Sequence, residues 1–248
     1  MLTEQRKRIL LERLKRQGRI IAKDMSAELD LSEDTIRRDL RELAAAGLLL
    51  RVHGGALPAS PTVANLDARR TMAVADKQRL GQAGARLIEP GQTVFIDGGT
   101  TNLELVRHLP LDLQATITTH SPVIAASLEP HRNVEVILIG GSLLRHSMVS
   151  IGAVALEAIS RLRADLCFIG LTGLHRHEGA TTGNYEEAAI KRAIIGRSAD
   201  VVSLVTAEKL GAVSPHMICG LGAISSLIVP READSGGFDP ASIRMIRV

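Results

Sequence analysis

Apolar residues in the first fifty positions recur at helical spacing. Ile9, Leu10 and Leu14 share one face of a segment from Thr3 to Gln17, and Gly18 follows where a helix would stop. Ile21, Met25 and Leu29 fall at i, i+4 and i+8, predicting a second, short helix that ends at Asp30 and Leu31. Ser32 offers an N-cap hydroxyl to a third helix from Glu33 to about Ala46, with Ile36, Leu40 and Leu43 on its apolar face and Gly47 as its stop. Asp34, Arg38 and Arg41 lie opposite that face, with Thr35 and Arg37 on the flanks. Leu48 to Val52 reads as a strand pair or wing, closed by His53, Gly54 and Gly55.

The pattern then changes. Leu57 to Asn65 holds two prolines among small residues and has no periodicity, as an interdomain connection would. This predicts a first domain over 1–56, a linker over 57–70 and a second domain over 71–248. The second domain opens with a helix over residues 71–88 and then alternates short β-rich runs with helical ones, the pattern of an α/β domain. Four of its strands end in small or hydroxyl residues. Thr93 to Asp97 leads into Gly98, Gly99, Thr100 and Thr101 and a helix from Asn102 to His108, while Thr116 to Thr119 leads into His120 and Ser121. Val134 to Ile139 ends in Gly140 and Gly141, and Leu166 to Ile169 ends in Gly170 and Gly173. Open α/β sheets bind ligands beyond the carboxyl ends of their strands. Glycines there admit a ligand to the backbone, and free N–H groups at a helix start, with the Thr100 and Thr101 hydroxyls, suit an anion such as phosphate.

Charge sharpens the first domain. The net charge is only +3, yet residues 1–56 carry 12 basic against 9 acidic side chains, leaving 18 against 18 elsewhere. One Tyr, three Phe and no Trp argue against base stacking on rings, so a nucleic-acid partner would be duplex DNA. Cys167 and Cys219 cannot form a disulfide scaffold, and the chain lacks paired-cysteine and zinc-protease spacings; a reducing cytoplasm and no metal are expected. Cys167 reads as a packed core residue, and His175, His177 and Glu178 as a solvated loop rather than ligands. No apolar run approaches the length of a membrane span, so neither a signal peptide nor a membrane anchor is expected.

Read literally, Ser32-Glu-Asp-Thr-Ile-Arg-Arg-Asp-Leu40, then Leu43, Gly47, Leu50 and Arg51-Val-His-Gly-Gly-Ala56, closely resembles the winged helix-turn-helix of the DeoR family of bacterial transcription regulators. Residues 92–110 resemble that family's Asp-x-Gly-Thr-Thr segment. Residues 165–195 resemble its Asp-x-x-Phe-x-Gly-x-x-Gly stretch with a later helix, here Glu187, Ala188, Lys191 and Arg192. The resemblance implies an N-terminal winged helix joined to a larger α/β sensor of sugar phosphates, similar in fold to ribose-5-phosphate isomerase. On the DNA side, Arg38 is the candidate for a bidentate base-edge contact, flanked by Thr35 and Arg37 after the Ser32 cap. Arg41, Arg51 and His53 are candidates for phosphates, and Asp39 for orienting a neighbouring arginine. On the sensor side the resemblance points to Asp97, Gly99, Thr100 and Thr101 as effector-lining, with Glu187 and Lys209 where the related isomerases keep polar groups. Two departures stand out: His120 replaces the family's asparagine between Thr119 and Ser121, and Thr206 replaces an aspartate before Lys209.

The expectation is a cytoplasmic repressor of carbohydrate metabolism, a homodimer or higher oligomer without cofactor or catalytic residue, released from its operator by a phosphorylated sugar. Against it stands a sugar-phosphate isomerase using Glu187 as acid or base with Lys209 beside it. Glu187 and Lys191, at i and i+4, also fit a plain helix ion pair.

Overall fold

The computed structural model describes residues 2–60, 66–233, 237–238 and 243–248. Its N-terminal unit comprises α1 (Thr3–Gln17), β1 (Ile20–Ile21), α2 (Ala22–Leu29), α3 (Glu33–Ala45), β2 (Leu49–Val52) and β3 (Gly55–Pro58). Each helix ends where a local device demands it: Gly18 turns left-handed and returns its N–H to Leu14 O at 2.8 Å, and Asp30 does the same to close α2. The helical stripes meet in one core of Leu10, Leu14, Met25, Ile36, Leu40, Leu43 and Leu49. β3 pairs antiparallel with β1 and β2, so the wing is three-stranded. Leu57 and Pro58, assigned to the linker by composition, are its last residues because Leu57 is buried opposite Leu50. Of the remaining linker, residues 61–65 lie outside the described residues, and Leu66–Arg70 is a helix, α4.

The second unit contains α5 (Val74–Ala85), β4 (Thr93–Ile96), α6 (Thr100–Arg107), β5 (Ala115–Thr119), α7 (Pro122–Ser127), β6 (Val134–Leu138), β7 (Ser142–Leu144), β8 (Val149–Ile151) and α8 (Ala153–Ser160). It continues with β9 (Ala164–Phe168), β10 (Gly173–His175), β11 (Gly179–Thr182), α9 (Tyr185–Ile195), β12 (Ser198–Leu204), β13 (His216–Cys219), β14 (Ser226–Val229) and β15 (Arg244–Arg247). Seven strands form one parallel sheet in the order β15-β14-β12-β9-β4-β5-β6.

Alternate residues of each strand face opposite layers. Phe95, Cys167, Val201 and Leu227 pack with α8 and α9, while Val94, Ile96, Leu166, Phe168 and Val202 pack with α5, α6 and α7. Both faces are covered, which is why these strands read as unbroken apolar runs. The sheet also reverses direction once. Strands β4, β5 and β6 step one way from the middle, and β9, β12, β14 and β15 step the other, so a crevice opens between the ends of β4 and β9. The β7–β8 hairpin and the small sheet β10-β11-β13 contribute walls to it.

Candidate functional site

The first candidate surface is α3 and the wing. Ser32 Oγ accepts the N–H of Thr35 at 3.2 Å, starting the helix where the sequence places its cap. Asp39 is fully buried and takes a forked pair of hydrogen bonds from Arg6 of α1, with Arg6 Nη2 donating to Oδ1 at 2.9 Å. The arginine that Asp39 serves is thus 33 residues away in sequence, and the pair fixes how α3 leans on α1. On the outer face the exposed guanidinium of Arg38 makes no hydrogen bond or ion pair among the described residues. Arg37 is tied to Glu33, Nη2 to Oε1 at 2.7 Å, and Arg41 Nε donates to Arg37 O at 3.4 Å. Arg37, Arg51 and His53 line one groove between α3 and the wing turn.

The second candidate is the crevice. Asp97, just past β4, is fully buried and accepts from four directions: Gly98 N–H and Gly170 N–H at 2.7 Å each, Lys191 Nζ at 2.5 Å and His120 Nε2 at 2.6 Å. Burial works against its charge, but Lys191 and then His120 hold the carboxyl well below the usual carboxylate range. Asp97 therefore clamps the two strand ends together. A side chain at Gly170 would come within 2.8 Å of Gly98 O, and Gly99 starts α6 at a φ of 118° open to glycine alone.

Around this clamp lie a cavity lined by Gly98, Gly99, Thr100, Thr101, Gly170 and Lys209, and an adjoining one of about 220 Å³ reaching Leu144, Asn184 and Ser214. Arg69, Ser147, Thr172, Thr182 and Glu187 line both. Lys191 bridges to Glu187 at 3.2 Å and to Asp97, and those carboxylates outweigh burial in raising its pKa. The buried amine of Lys209 makes no hydrogen bond or ion pair among the described residues, and burial pushes its pKa down to about 8. At the Thr206 departure the hydroxyl donates to Glu208 Oε1 at 2.6 Å; Glu208's charge favours the Lys209 ammonium, but no carboxylate forms an ion pair with it among the described residues. Thr182 Oγ1 and Arg69 Nε are also buried without a partner. Cations without an ion-pair partner among the described residues and orphaned polar groups face one crevice next to the start of α6, a donor set complementary to an anion.

Of the residues singled out by sequence, Gly98, Gly99, Thr100, Thr101, Gly170, Glu187 and Lys209 line the crevice, with Asp97 directly beneath. His120 is buried behind Asp97, its Nδ1 bonded to Ser150 O at 2.8 Å, so it acts on the crevice through that carboxylate. Thr119 and Ser121 organise the turn into α7, Thr119 Oγ1 accepting Ser121 N–H and Ser121 Oγ donating to Met148 O. Gly140 is exposed and outside the lining, Gly141 packs on Ile151 O, and Gly173 packs on Ala212. Arg69, Lys77, Thr182 and Ser147 escaped sequence reading because each comes from a different element with no shared spacing.

His175 is not in a solvated loop: it is buried at the end of β10, and Nδ1 accepts the N–H groups of His177 and Glu178 at 3.3 Å each. Among the described residues no cluster of histidine, cysteine and carboxylate suits a metal ion. Cys167 is core, its thiol pushed up to about 12 by burial. No helix of the described residues is long and apolar enough to cross a membrane.

Comparison with known proteins bears on both surfaces. Residues 6–62 match the DeoR-like helix-turn-helix domain, and residues 72–231 the DeoR C terminal sensor domain. The chain is 36% identical over 245 residues to the HTH-type transcriptional regulator GlpR of Haloferax volcanii, covering 95% of this chain and 92% of that protein. It is 34% identical over 227 residues to the glycerol-3-phosphate regulon repressor of Escherichia coli K12, covering 91% and 88%. Among solved structures, ribose 5-phosphate isomerase A from Methanocaldococcus jannaschii aligns over 55% of this chain and 54% of its own, at 12% identity and a TM-score of 0.41. The sequence relatives are regulators, not isomerases, and they span nearly the whole chain. With a DNA-binding winged helix ahead of a sensor domain, this chain belongs to the DeoR family of transcriptional regulators.

Proposed function

We propose that this regulator is a cytoplasmic repressor of a carbohydrate-metabolism operon that leaves its operator when a phosphorylated sugar occupies the crevice. The observation that carries the ligand class is the unpaired cationic pair Arg69 and Lys209, facing Thr100, Thr101 and the start of α6 across one cavity. The phosphoryl group would lie there, and the adjoining chamber lined by Asn184, Ser214 and His146 would take the carbon chain and its hydroxyls. The names of relatives, a glycerol-3-phosphate regulon repressor among them, support a phosphorylated metabolite.

On the DNA side the free Arg38 reads a base edge, and Arg41, Arg51 and His53 meet phosphates, with Thr35 and Arg37 beside them and the Ser32 cap holding the helix start. The operator is duplex and two-fold symmetric, read by a homodimer or larger homo-oligomer. The DNA-reading unit runs through Pro58, where the wing ends, and the sensor begins at α4.

Anisotropy of labelled DNA from upstream of the gene, titrated with sugar phosphates and with the same sugars unphosphorylated, tests this reading. Release by a phosphorylated compound alone is expected. Equal release by the unphosphorylated sugar, or tight binding that no phosphorylated compound disturbs, would overturn it.

A further inference from the structure

The connector between the two units is bonded to the crevice at both of its described ends. Past β3, Pro58 O accepts Val213 N–H at 2.9 Å, Ser60 N–H donates to Val213 O at 3.1 Å, and Ser60 Oγ donates to Thr172 O at 2.5 Å. Thr172 lines both cavities, and Val213 is four residues beyond Lys209. On the far side Leu66 N–H donates to His146 O at 3.1 Å, and His146 lines the larger cavity. α4 then carries Arg69 into the crevice, where it lines both cavities. Lys77 of α5 donates to the Arg69 carbonyl, which holds the backbone at the position from which the guanidinium projects.

Arg69 presents a forked donor for which no side-chain acceptor is found among the described residues. Its Nε is buried and unbonded, and its guanidinium forms no salt bridge among the described residues, though the charges of Glu187 and Asp97 act on it. Thr182, fully buried on the opposite wall, has its hydroxyl likewise unpartnered. A half-buried guanidinium without a salt bridge gains from a ligand that offers two coplanar oxygens.

We propose that Arg69 is an anion-contacting residue of the sensor site, and that ligand binding is transmitted to the winged helix through it and the connector held at Ser60. The inference rests on the reading of the crevice as a phosphate site. A phosphate drawing on Arg69 pulls on α4, while Thr172 of the crevice lining and Val213 outside it grip the chain where it leaves the wing. The head's attachment then differs between the free and occupied states, which is what a differential affinity for operator requires.

The test uses the full chain, glycerol 3-phosphate and inorganic phosphate as probes, thermal shift for binding, and anisotropy of labelled upstream DNA for release. Probe binding by the wild type with an apparent affinity at least tenfold weaker in Arg69→Gln, and a loss of intermediate size in Arg69→Lys, is expected. Ser60→Ala is expected to bind the probe as the wild type does but to need several-fold more of it for half-release of DNA. If Arg69→Gln binds the probes within twofold of wild type, the inference is overturned while the phosphate site stands. If the wild type itself answers to neither probe, nor to any other phosphomonoester, the site reading falls and this inference with it. Should Arg69→Gln fail to fold, hydrogen exchange on the wild type decides: probe must change protection of the amides of Ser60 and of residues 66–70, and unchanged protection would overturn the coupling.

Discussion

The two halves of this regulator hold their cations in opposite ways. On α3 the Arg38 guanidinium is exposed with no side-chain partner among the described residues, whereas in the sensor Lys191 and Lys209 are buried, the first ion-paired with two carboxylates and the second with none among the described residues. An exposed arginine costs the fold nothing and acts when it displaces counterions or meets a base edge. A buried, unpaired lysine lowers stability until a ligand compensates it. On the proposed reading, the DNA-reading surface is made of residues the fold can spare, and the sensor site of residues whose burial a ligand would compensate. The arginine that does matter to the first unit's fold is Arg6, buried against Asp39.

Replacing Asp39 with alanine should have the largest effect, because it strands Arg6: a loss of about 3–5 kcal/mol in the winged helix, read by chemical denaturation. A change below 1 kcal/mol would show that α1 and α3 do not depend on the pair. Arg38→Ala should leave that transition in place and lower operator affinity by about 1–3 kcal/mol, a tenfold to hundredfold loss of discrimination against unrelated DNA. Retained discrimination would remove Arg38 from base reading.

Lys209→Met inverts the comparison. The folded-state value of Lys209, about 8, lies below its ordinary 10.5, so its charge destabilises the ligand-free protein below pH 8 and the penalty fades between about 8 and 10.5. The methionine variant should thus be more stable at pH 7, by about 1–2 kcal/mol, yet respond poorly to phosphate. A lower melting temperature would mean the lysine is already compensated. By the same sign, phosphate-driven DNA release by the wild type should weaken as pH rises through about 8, since the anion favours the protonated amine. The smallest effect is expected of Arg51→Gln, which should reduce the slope of log affinity against log salt by about 0.9 with little change in sequence preference.

Much of the first unit was legible. Ser32, Gly18 and the stripe Ile36, Leu40 and Leu43 act within a few residues of chain, and caps and helical faces depend on such local spacing. In the second unit the strand ends at Asp97–Thr101 and Gly170 were equally plain. Thr119–Ser121 and Gly140–Gly141 looked identical to them, yet line no crevice. The difference is strand order: β4 and β9 flank the reversal of the sheet, while β5 and β6 lie to one side of it, and no local pattern encodes which strands become neighbours.

What the sequence determined by itself was the helices and wing of the first unit, the α/β character of the second with four of its strand ends, the two-part organisation and the family, since each rests on short-range spacing or on a contiguous run such as Thr35-Ile-Arg-Arg-Asp39. Only the tertiary structure decided which polar residues act together. Asp39 finds Arg6 across 33 residues, Asp97 finds Lys191 across 94, and Arg69, from a segment whose composition reads as a linker, lines the same crevice as Glu187 within reach of its charge. Those partnerships follow from burial. Once the sheet closes and water leaves, each buried charge or donor must be met by whatever the packing brings to it, or stay unmet, and distance along the chain has no bearing on which.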